Sequence, residues 1–140
     1  MIQLTKVNTS DKEHGMILFE LLKKRKYFIS HKKTPSLKEH LHFFENNPYR
    51  IWYILYLEND LVGAAYCTYQ NLIGINLIKD KSEIYKDSLI KIISDVSPLP
   101  PKPSVRSGNF CINVSPQNKK LQMALKELNA IEIQKTYFIN

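Results

Sequence analysis

The sequence has little cysteine, little glycine and no long apolar run. Its two cysteines, Cys67 and Cys111, each lie in an apolar, strand-like stretch, which favours two buried thiols over a disulfide or a reactive site. No apolar run approaches the roughly 20 residues that a membrane-spanning helix needs. The chain also begins without the pattern of a secretory signal. We therefore expect a cytoplasmic protein in a reducing environment, with no membrane partner.

The charge is unevenly distributed. Net charge is +7, and residues 1–50 account for +5 of it. Such a balance favours an anionic partner, whether nucleic acid, acidic protein or a phosphorylated cofactor. Because no recognised nucleic-acid motif accompanies it, we expect no nucleic-acid partner and keep a small basic nucleic-acid binder only as a third hypothesis. The KKRK run at 23–26 is interpreted as the solvated, positively charged end of a helix, although a targeting or nucleic-acid role is the alternative.

The histidines do not predict a metal site. His40 and His42 are two residues apart, so on a helix they point in different directions. His31 could join them in space, but no cysteine or carboxylate spacing typical of zinc is present. We expect no metal.

The stretch 50–79 predicts the centre of the fold. Residues 51–57, 61–69 and 72–78 are rich in aromatic and β-branched side chains, and Asn- and Asp-containing turns separate them. Few of these positions alternate between apolar and polar, which predicts three antiparallel strands in a sheet covered on both faces. The small residues at 63–65 predict the close approach of a helix or another backbone.

The flanking segments predict the covering helices and the remaining strands. The expected order is a strand at 2–7, helices around 16–24 and 36–45, the three central strands, a helix from 80 to about 96, a strand at 110–114, a helix from 115 to 128 and a final strand at 131–139. Ser36 and Glu39 form a capping-box pattern. Four of the seven prolines lie between 97 and 107, which predicts a stiff connector. At 140 residues and 44% hydrophobic content, one domain spanning 1–140 is expected.

This order resembles the GCN5-related N-acetyltransferase (GNAT) superfamily across essentially the whole chain. The likeness is best at SLKEHLHFFENNPYRIWYILYLENDLVGAAYCTY, where Glu39, His40 and Phe44 match a helix pattern and Val62–Gly63 matches a strand pair. A second matching patch is VSPQNKKLQMALKELNAIEIQ, with Asn118 at the family's Asn position. The resemblance implies an α+β, three-layer fold, with a mixed, mostly antiparallel sheet and helices on both faces.

The resemblance also implies a cofactor and a reaction. An acyl-CoA, acetyl-CoA in the simplest case, would lie in a V-shaped opening between the fourth and fifth strands and donate its acyl group to a small-molecule or peptide amine. Its pantetheine would pair with the backbone of Leu77 and Ile78, and its pyrophosphate would lie at the N-terminus of the next helix. The implied cofactor-binding side chains are Lys79, Lys81, Ser82, Lys86 and Asn118. Glu83 and Tyr85 are the candidate catalytic base or acid. A homodimer is a further expectation of the fold.

Three positions depart from the family pattern. No glycine lies between Gly74 and Gly108, where the family has a glycine-containing phosphate loop. Leu125 replaces a proton-donating tyrosine, and Asn129–Ala130 replaces a Gly-Phe pair. These departures favour a second hypothesis, a GNAT-shaped module that binds a ligand or partner without catalysis. Glu83 also has a simpler interpretation as a helix cap, Tyr85 as a packing residue, and Asn118 as a helix cap.

Overall fold

The computed structural model describes residues 1–27 and 33–140. His31, considered above with the other histidines, lies outside the described residues. Within them the strands are β1 (Ile2–Lys6), β2 (Ile51–Leu57), β3 (Asp60–Cys67), β4 (Leu72–Leu77) and β5 (Cys111–Ile112). The helices are α1 (Lys12–Lys23), α2 (Leu37–Glu45), α3 (Ser82–Asp95) and α4 (Lys119–Glu127). The sheet order is β1-β2-β3-β4-β5; the first four strands are antiparallel, and β5 is parallel to β4. The predicted α+β fold class is confirmed.

The central strands form where the sequence predicts them. Glu58 and Asn59 make the β2–β3 turn with φ angles of 49° and 70°, a left-handed conformation that Asn tolerates well. A Cβ atom at Gly63 would lie 2.2 Å from the backbone oxygen of Asn76 on β4, so only glycine fits there. The close approach predicted at 63–65 is therefore confirmed, and the approaching group is the neighbouring strand.

Helices cover both faces of the sheet, as the sequence predicts. One buried cluster joins β1–β4 to α3 and α4, and its members include Tyr53, Leu55, Leu77, Tyr85, Leu89, Ile92 and Leu121. The other joins the opposite face to α1 and α2 through Leu18, Leu21, Phe44 and Ile54. Burial of these side chains supplies the main stabilisation of the fold, at about 25 cal/mol per Å² of apolar surface.

Side-chain caps fix the start of three helices. Asp11 caps α1, and Ser36 and Glu39 form the expected capping box of α2. The last helix begins later than expected. Asn118, rather than Ser115, is the N-cap of α4, because its Oδ1 accepts the Leu121 N–H at 3.1 Å.

The predicted final strand is wrong. Residues 131–140 are exposed and form no strand, turn or helix. Asn129, directly after the C-cap Leu128 of α4, has a left-handed conformation with φ of 59°. The fifth strand is also shorter than predicted, two residues instead of five. A strand needs a neighbour for its backbone groups, and within the described chain the segment 110–114 pairs with β4 only at Cys111 and Ile112.

A buried asparagine holds the proline-rich connector against the sheet. Asn71 has no exposed surface; its Nδ2 donates to the carbonyl oxygens of Leu99 and Ser107, and its Oδ1 accepts the Leu99 N–H. Cys111 N–H also donates to the Asn71 carbonyl at 2.9 Å. Asn71 therefore determines where β5 begins.

The two thiols are free, as predicted, but only Cys67 is buried as expected. Cys67 is buried, and burial raises the pKa of its thiol to about 11, so it stays protonated and unreactive at neutral pH. Cys111 is half-buried.

Candidate functional site

The site is a cleft that opens where β4 and β5 part. The two strands pair only at Leu72 with Cys111 and at Ile73 with Ile112. β4 then continues to Leu77, and no other strand of the described chain pairs with this edge. The last residues of β4 therefore border an opening instead of a neighbouring strand.

The hydrogen-bond pattern of β4 shows which backbone groups face the cleft. The Ile78 N–H donates to Val62 O at 2.8 Å, and the Thr68 N–H donates to Leu72 O at 2.9 Å. Because backbone groups alternate in direction along an antiparallel strand, the N–H and C=O of Ile75 and Leu77 point away from β3 and into the cleft.

The strand geometry changes which backbone groups face the cleft, compared with the expected pair of Leu77 and Ile78. Leu77 presents its backbone to the cleft as expected. Ile78 does not, because its N–H is bonded to β3. Ile75, which the sequence analysis did not select, takes its place. Strand register decides this, and register cannot be assigned from one strand's sequence alone.

A small cavity of about 50 Å³ lies in this cleft. Its lining comes from four parts of the chain: Arg25 and Tyr27 after α1, Ile75 and Asn76 on β4, Tyr85 on α3, and Asn113, Ser115, Asn118 and Leu121 after β5. Two of the residues expected from the sequence, Tyr85 and Asn118, therefore meet in one place.

Tyr85 and Asn118 are hydrogen-bonded at the cavity. Asn118 Nδ2 donates to the Tyr85 hydroxyl at 3.3 Å, while Asn118 Oδ1 caps α4. Both side chains are almost fully buried. Burial, with a smaller contribution from the Asp80 carboxylate, raises the pKa of Tyr85 to about 12, although the Asn118 hydrogen bond opposes this. The Tyr85 hydroxyl is therefore protonated at neutral pH and can act as a proton donor.

A second polar pair lies beside the cavity. The Tyr27 hydroxyl donates to Asp80 Oδ2 at 2.7 Å, and Asp80 Oδ1 is buried with no hydrogen-bond partner among residues 1–27 and 33–140. The hydrogen bond to Asp80 raises the pKa of Tyr27. The sequence analysis missed this pair, because the two residues are 53 positions apart and no local pattern connects them.

The N-terminus of α3 has no capping side chain. Lys81 is the N-cap, and its side chain makes no capping hydrogen bond; only its carbonyl is used, by the N–H groups of Ile84 and Tyr85. The simpler interpretation of Glu83 as a helix cap is therefore wrong, because no side chain caps α3. First-turn amides without a side-chain cap, at the positive end of a 14-residue helix, form a favourable place for an anion. Ser82, the first helical residue, is partly buried there.

The other predicted residues lie on the surface around this turn. Lys79 Nζ is 3.7 Å from Asp60 Oδ2, and Lys86 Nζ is 3.6 Å from Glu127 Oε2. Lys81 is exposed. Glu83 is also exposed and does not line the cavity, so its expected role as catalytic base receives no support from the geometry.

The KKRK run at 23–26 was expected to be solvated, but Arg25 is not fully exposed. It lies after the end of α1, is half-buried and lines the cavity. Burial lowers the pKa of its guanidinium, and interactions with Tyr66 and Tyr49 oppose the effect. One positive charge of the run therefore belongs to the cleft.

The described residues contain neither a metal-binding cluster nor a membrane-spanning helix. No group of three or more His, Cys, Asp or Glu side chains within residues 1–27 and 33–140 is arranged to hold a metal ion. His40 is buried and its Nε2 donates to the Gly15 carbonyl at 3.0 Å, which is a structural role. No described helix is long and apolar enough to cross a bilayer.

Comparison with known proteins links this fold to acetyltransferases. No family model and no curated protein sequence matches the chain. Among solved structures, a possible acetyltransferase from Clostridium difficile 630 is similar with a TM-score of 0.56 and 13% identity, over 100% of this chain and 97% of that one. A predicted acetyltransferase from Clostridium acetobutylicum, solved with acetyl-CoA, is similar with a TM-score of 0.58 and 14% identity, over 100% of this chain and 96% of that one. The chain therefore has an acetyltransferase-like fold.

Proposed function

We propose that this protein is an N-acyltransferase that transfers an acyl group, acetyl in the simplest case, from an acyl-CoA to an amine of a small molecule or peptide. The observation that carries the proposal is the parting of β4 from β5, which leaves backbone groups of Ile75 and Leu77 facing a cleft that also contains Tyr85. The fold shared with a possible and a predicted acetyltransferase from clostridia supports it, since the predicted one was solved with acetyl-CoA.

Two features of the chain fit an acyl-CoA. The N–H and C=O groups of Ile75 and Leu77, which pair with no strand among the described residues, suit the amides of a pantetheine arm. The first turn of α3, at Ser82, suits a pyrophosphate. Lys79, Lys81 and Lys86 surround that turn, and the ion pairs of Lys79 and Lys86 are exposed, so they are worth about 0–1 kcal/mol and can be exchanged for a phosphate. An acyl-CoA would supply an activated thioester carbonyl.

The chain's own catalytic contribution is proton donation by Tyr85. Its hydroxyl accepts a hydrogen bond from Asn118 and keeps its proton at neutral pH. As the C–N bond to the amine formed and the C–S bond broke, Tyr85 would donate this proton to the leaving sulfur, and the proton released by the acylated amine would pass through water and restore the Tyr85 hydroxyl. Positioned proton donors of this kind contribute about 10²- to 10⁴-fold in rate. The resemblance places a proton-donating tyrosine at the position that Leu125 occupies in this chain. Tyr85 would take over that proton-donor role. Asn118 acts as a positioning residue, because it holds both Tyr85 and the start of α4.

A second function, ligand binding without catalysis, is favoured by one specific observation. The Asp80 carboxylate lies just before the α3 turn, and that turn has no glycine to let a pyrophosphate approach closely. Under this alternative the cleft holds a ligand with less negative charge than a coenzyme A.

Proline at position 82 tests the phosphate site directly. Ser82 is the first helical residue, and proline is well tolerated there but has no N–H to offer an anion. The extended conformation of Lys81, with φ of −128° and ψ of 136°, is also compatible with a following proline. Losing one charge-assisted hydrogen bond costs about 1.5–3 kcal/mol, so we expect Ser82→Pro to weaken acetyl-CoA binding about 10- to 150-fold in calorimetry.

Ser82→Ala is the matched control, because it removes the hydroxyl but keeps the backbone N–H. We expect it to bind acetyl-CoA within about threefold of wild type. Thermal unfolding of both variants shows whether the fold is intact. Equal affinity of Ser82→Pro and Ser82→Ala would contradict the phosphate assignment, and no binding by the wild type at millimolar acetyl-CoA and coenzyme A would favour the second function.

A further inference from the structure

The cavity in the cleft is lined by one charged side chain. Of the nine described residues that form its wall, Arg25 is the one with a charge, and it is half-buried, whereas the three lysines of the run at 23–26 are exposed. The Asp80 carboxylate lies outside this lining and accepts the Tyr27 hydroxyl at 2.7 Å. A molecule that enters the cavity therefore meets a positive charge on its described wall.

Contacts between α1 and β4 fix the backbone that carries Arg25. On β4, Asn76 Nδ2 donates to Leu21 O at 3.1 Å, which ties the last turn of α1 to the strand. The Arg25 N–H then donates to Leu22 O at 3.2 Å and continues that turn. Arg25 is therefore held beside the part of β4 that borders the cleft.

Two stacked tyrosines interact with the Arg25 side chain. The rings of Tyr49 and Tyr66 are parallel within 9°, with centroids 3.8 Å apart. A Cβ atom at Gly74 would lie 2.1 Å from the Tyr66 ring, so glycine at this position lets the ring lie across β4. Burial lowers the pKa of Arg25, and electrostatic interactions with Tyr66 and Tyr49 oppose this. The guanidinium therefore stays charged and has aromatic neighbours that restrict where it lies.

We propose that Arg25 binds the carboxylate of the acceptor, and that the acceptors of this protein are small amino acids. The inference rests on the proposed acyl transfer and names the class of amine. A planar guanidinium forms two parallel hydrogen bonds with a carboxylate, which are stronger and more directional than neutral ones. Arg25 and Tyr85 line the same cavity of about 50 Å³, so an amine acylated beside Tyr85 has its carboxylate only a few bonds away.

The observations favour the acceptor over a phosphate of the coenzyme as the anion at Arg25. The turn that suits a pyrophosphate begins at Ser82, and neither Ser82 nor the lysines around it line the cavity. Arg25 instead shares the cavity with Tyr85, the proposed proton donor. The charge therefore belongs to the place where the amine reacts.

Matched pairs of amines test the proposal with the full-length protein. Glycine, β-alanine and γ-aminobutyrate are each compared with the corresponding amide, which keeps the amine and removes the negative charge. Acetyl-CoA is the donor, and rates are compared at equal concentrations of deprotonated amine. For at least one pair we expect kcat/KM of the amino acid to exceed that of its amide about 10- to 150-fold, as for a hydrogen bond between charged groups.

Three variants assign this preference to Arg25. Arg25→Met removes the charge, and we expect the preference to fall to within about threefold. Arg25→Glu reverses the charge, and we expect it to favour the amide. Lys24→Met is the matched control, because it removes a positive charge from an exposed position of the same run, and it should keep the wild-type preference. Calorimetry should show acetyl-CoA affinity within about threefold of wild type in all three, and thermal unfolding checks their fold.

The outcomes separate this inference from the proposed function. Wild-type protein that acylates amino acids and amides equally well, or that binds acetyl-CoA and acylates none of these amines, would overturn the inference alone, and neither result depends on how well a variant folds. A preference that Arg25→Met keeps, or that Lys24→Met loses to the same extent, would also overturn it. Weaker acetyl-CoA binding by Arg25→Met would assign Arg25 to the coenzyme instead. Wild-type protein that does not bind acetyl-CoA would refute the proposed function, and the inference with it.

Discussion

Removing the Tyr85 hydroxyl separates catalysis from binding. Tyr85 is 1% exposed, and its hydroxyl accepts a hydrogen bond from Asn118 in the cavity. In Tyr85→Phe the ring still fills its place, and the loss of one buried hydrogen bond costs about 1–2 kcal/mol of stability. If the hydroxyl protonates the leaving sulfur, turnover with acetyl-CoA and an amine falls about 10²- to 10⁴-fold. The affinity for acetyl-CoA in calorimetry changes little, because the Ile75 and Leu77 backbone is untouched.

Tyr53→Phe is the matched control for this experiment. Tyr53 is also fully buried, and its hydroxyl donates to Asp95 Oδ2 at 2.6 Å, near the other end of α3. The control therefore removes the same group at a similar cost in stability, measured by urea unfolding, but leaves turnover unchanged. Equal turnover of Tyr85→Phe and the wild type would refute the proton-donor role. Equal loss in both variants would show that reduced stability, and not lost chemistry, lowers the rate.

Two further predictions concern the structure that carries the site. Asn71→Ala loses three side-chain hydrogen bonds and puts alanine at φ of 65°, so we expect urea unfolding to show a free energy of unfolding lower by about 3–5 kcal/mol. Asn59→Ala, with φ of 70° in an exposed turn, is the control, and its free energy of unfolding should fall by about 1–2 kcal/mol. Burial lowers the pKa of His40, so the unfolded chain takes up a proton that the folded chain refuses as pH falls below 6.5. As the pH falls from 7.5 to 5.5, His40 should therefore lower the free energy of unfolding, by up to about 1.4 kcal/mol for each pH unit below 6.5. The His40→Gln variant should lack this dependence of stability on pH. The His42→Gln variant, changed at an exposed position, should keep it.

The local features of the fold could be predicted from the sequence. The composition of 51–57 gives β2 with its observed bounds, and Ser36 with Glu39 gives the start of α2 through a capping box. These succeed because propensity and capping act over a few neighbouring residues. The covering of both sheet faces also follows from the lack of alternation in the central strands.

Features that depend on distant partners were not predictable in the same way. The pairing of Tyr27 with Asp80, the direction of the Ile75 backbone and the exposed segment 131–140 depend on register and topology. The pattern at 131–139 predicted a strand that the structure does not contain, because a strand forms only where a neighbour accepts its hydrogen bonds. For the cleft, Tyr85 and Asn118 were selected through a family resemblance, and only the structure brings them into one cavity.

Amide exchange on β4 tests the central claim most directly. The claim is that the Ile75 and Leu77 N–H groups face an open cleft that takes up acyl-CoA. The Gly74 and Asn76 N–H groups are internal controls, because strand alternation directs them to β3. On addition of acetyl-CoA, we predict that exchange slows at Ile75 and Leu77 and stays unchanged at Gly74 and Asn76. Unchanged exchange at all four amides with saturating acetyl-CoA would contradict the account.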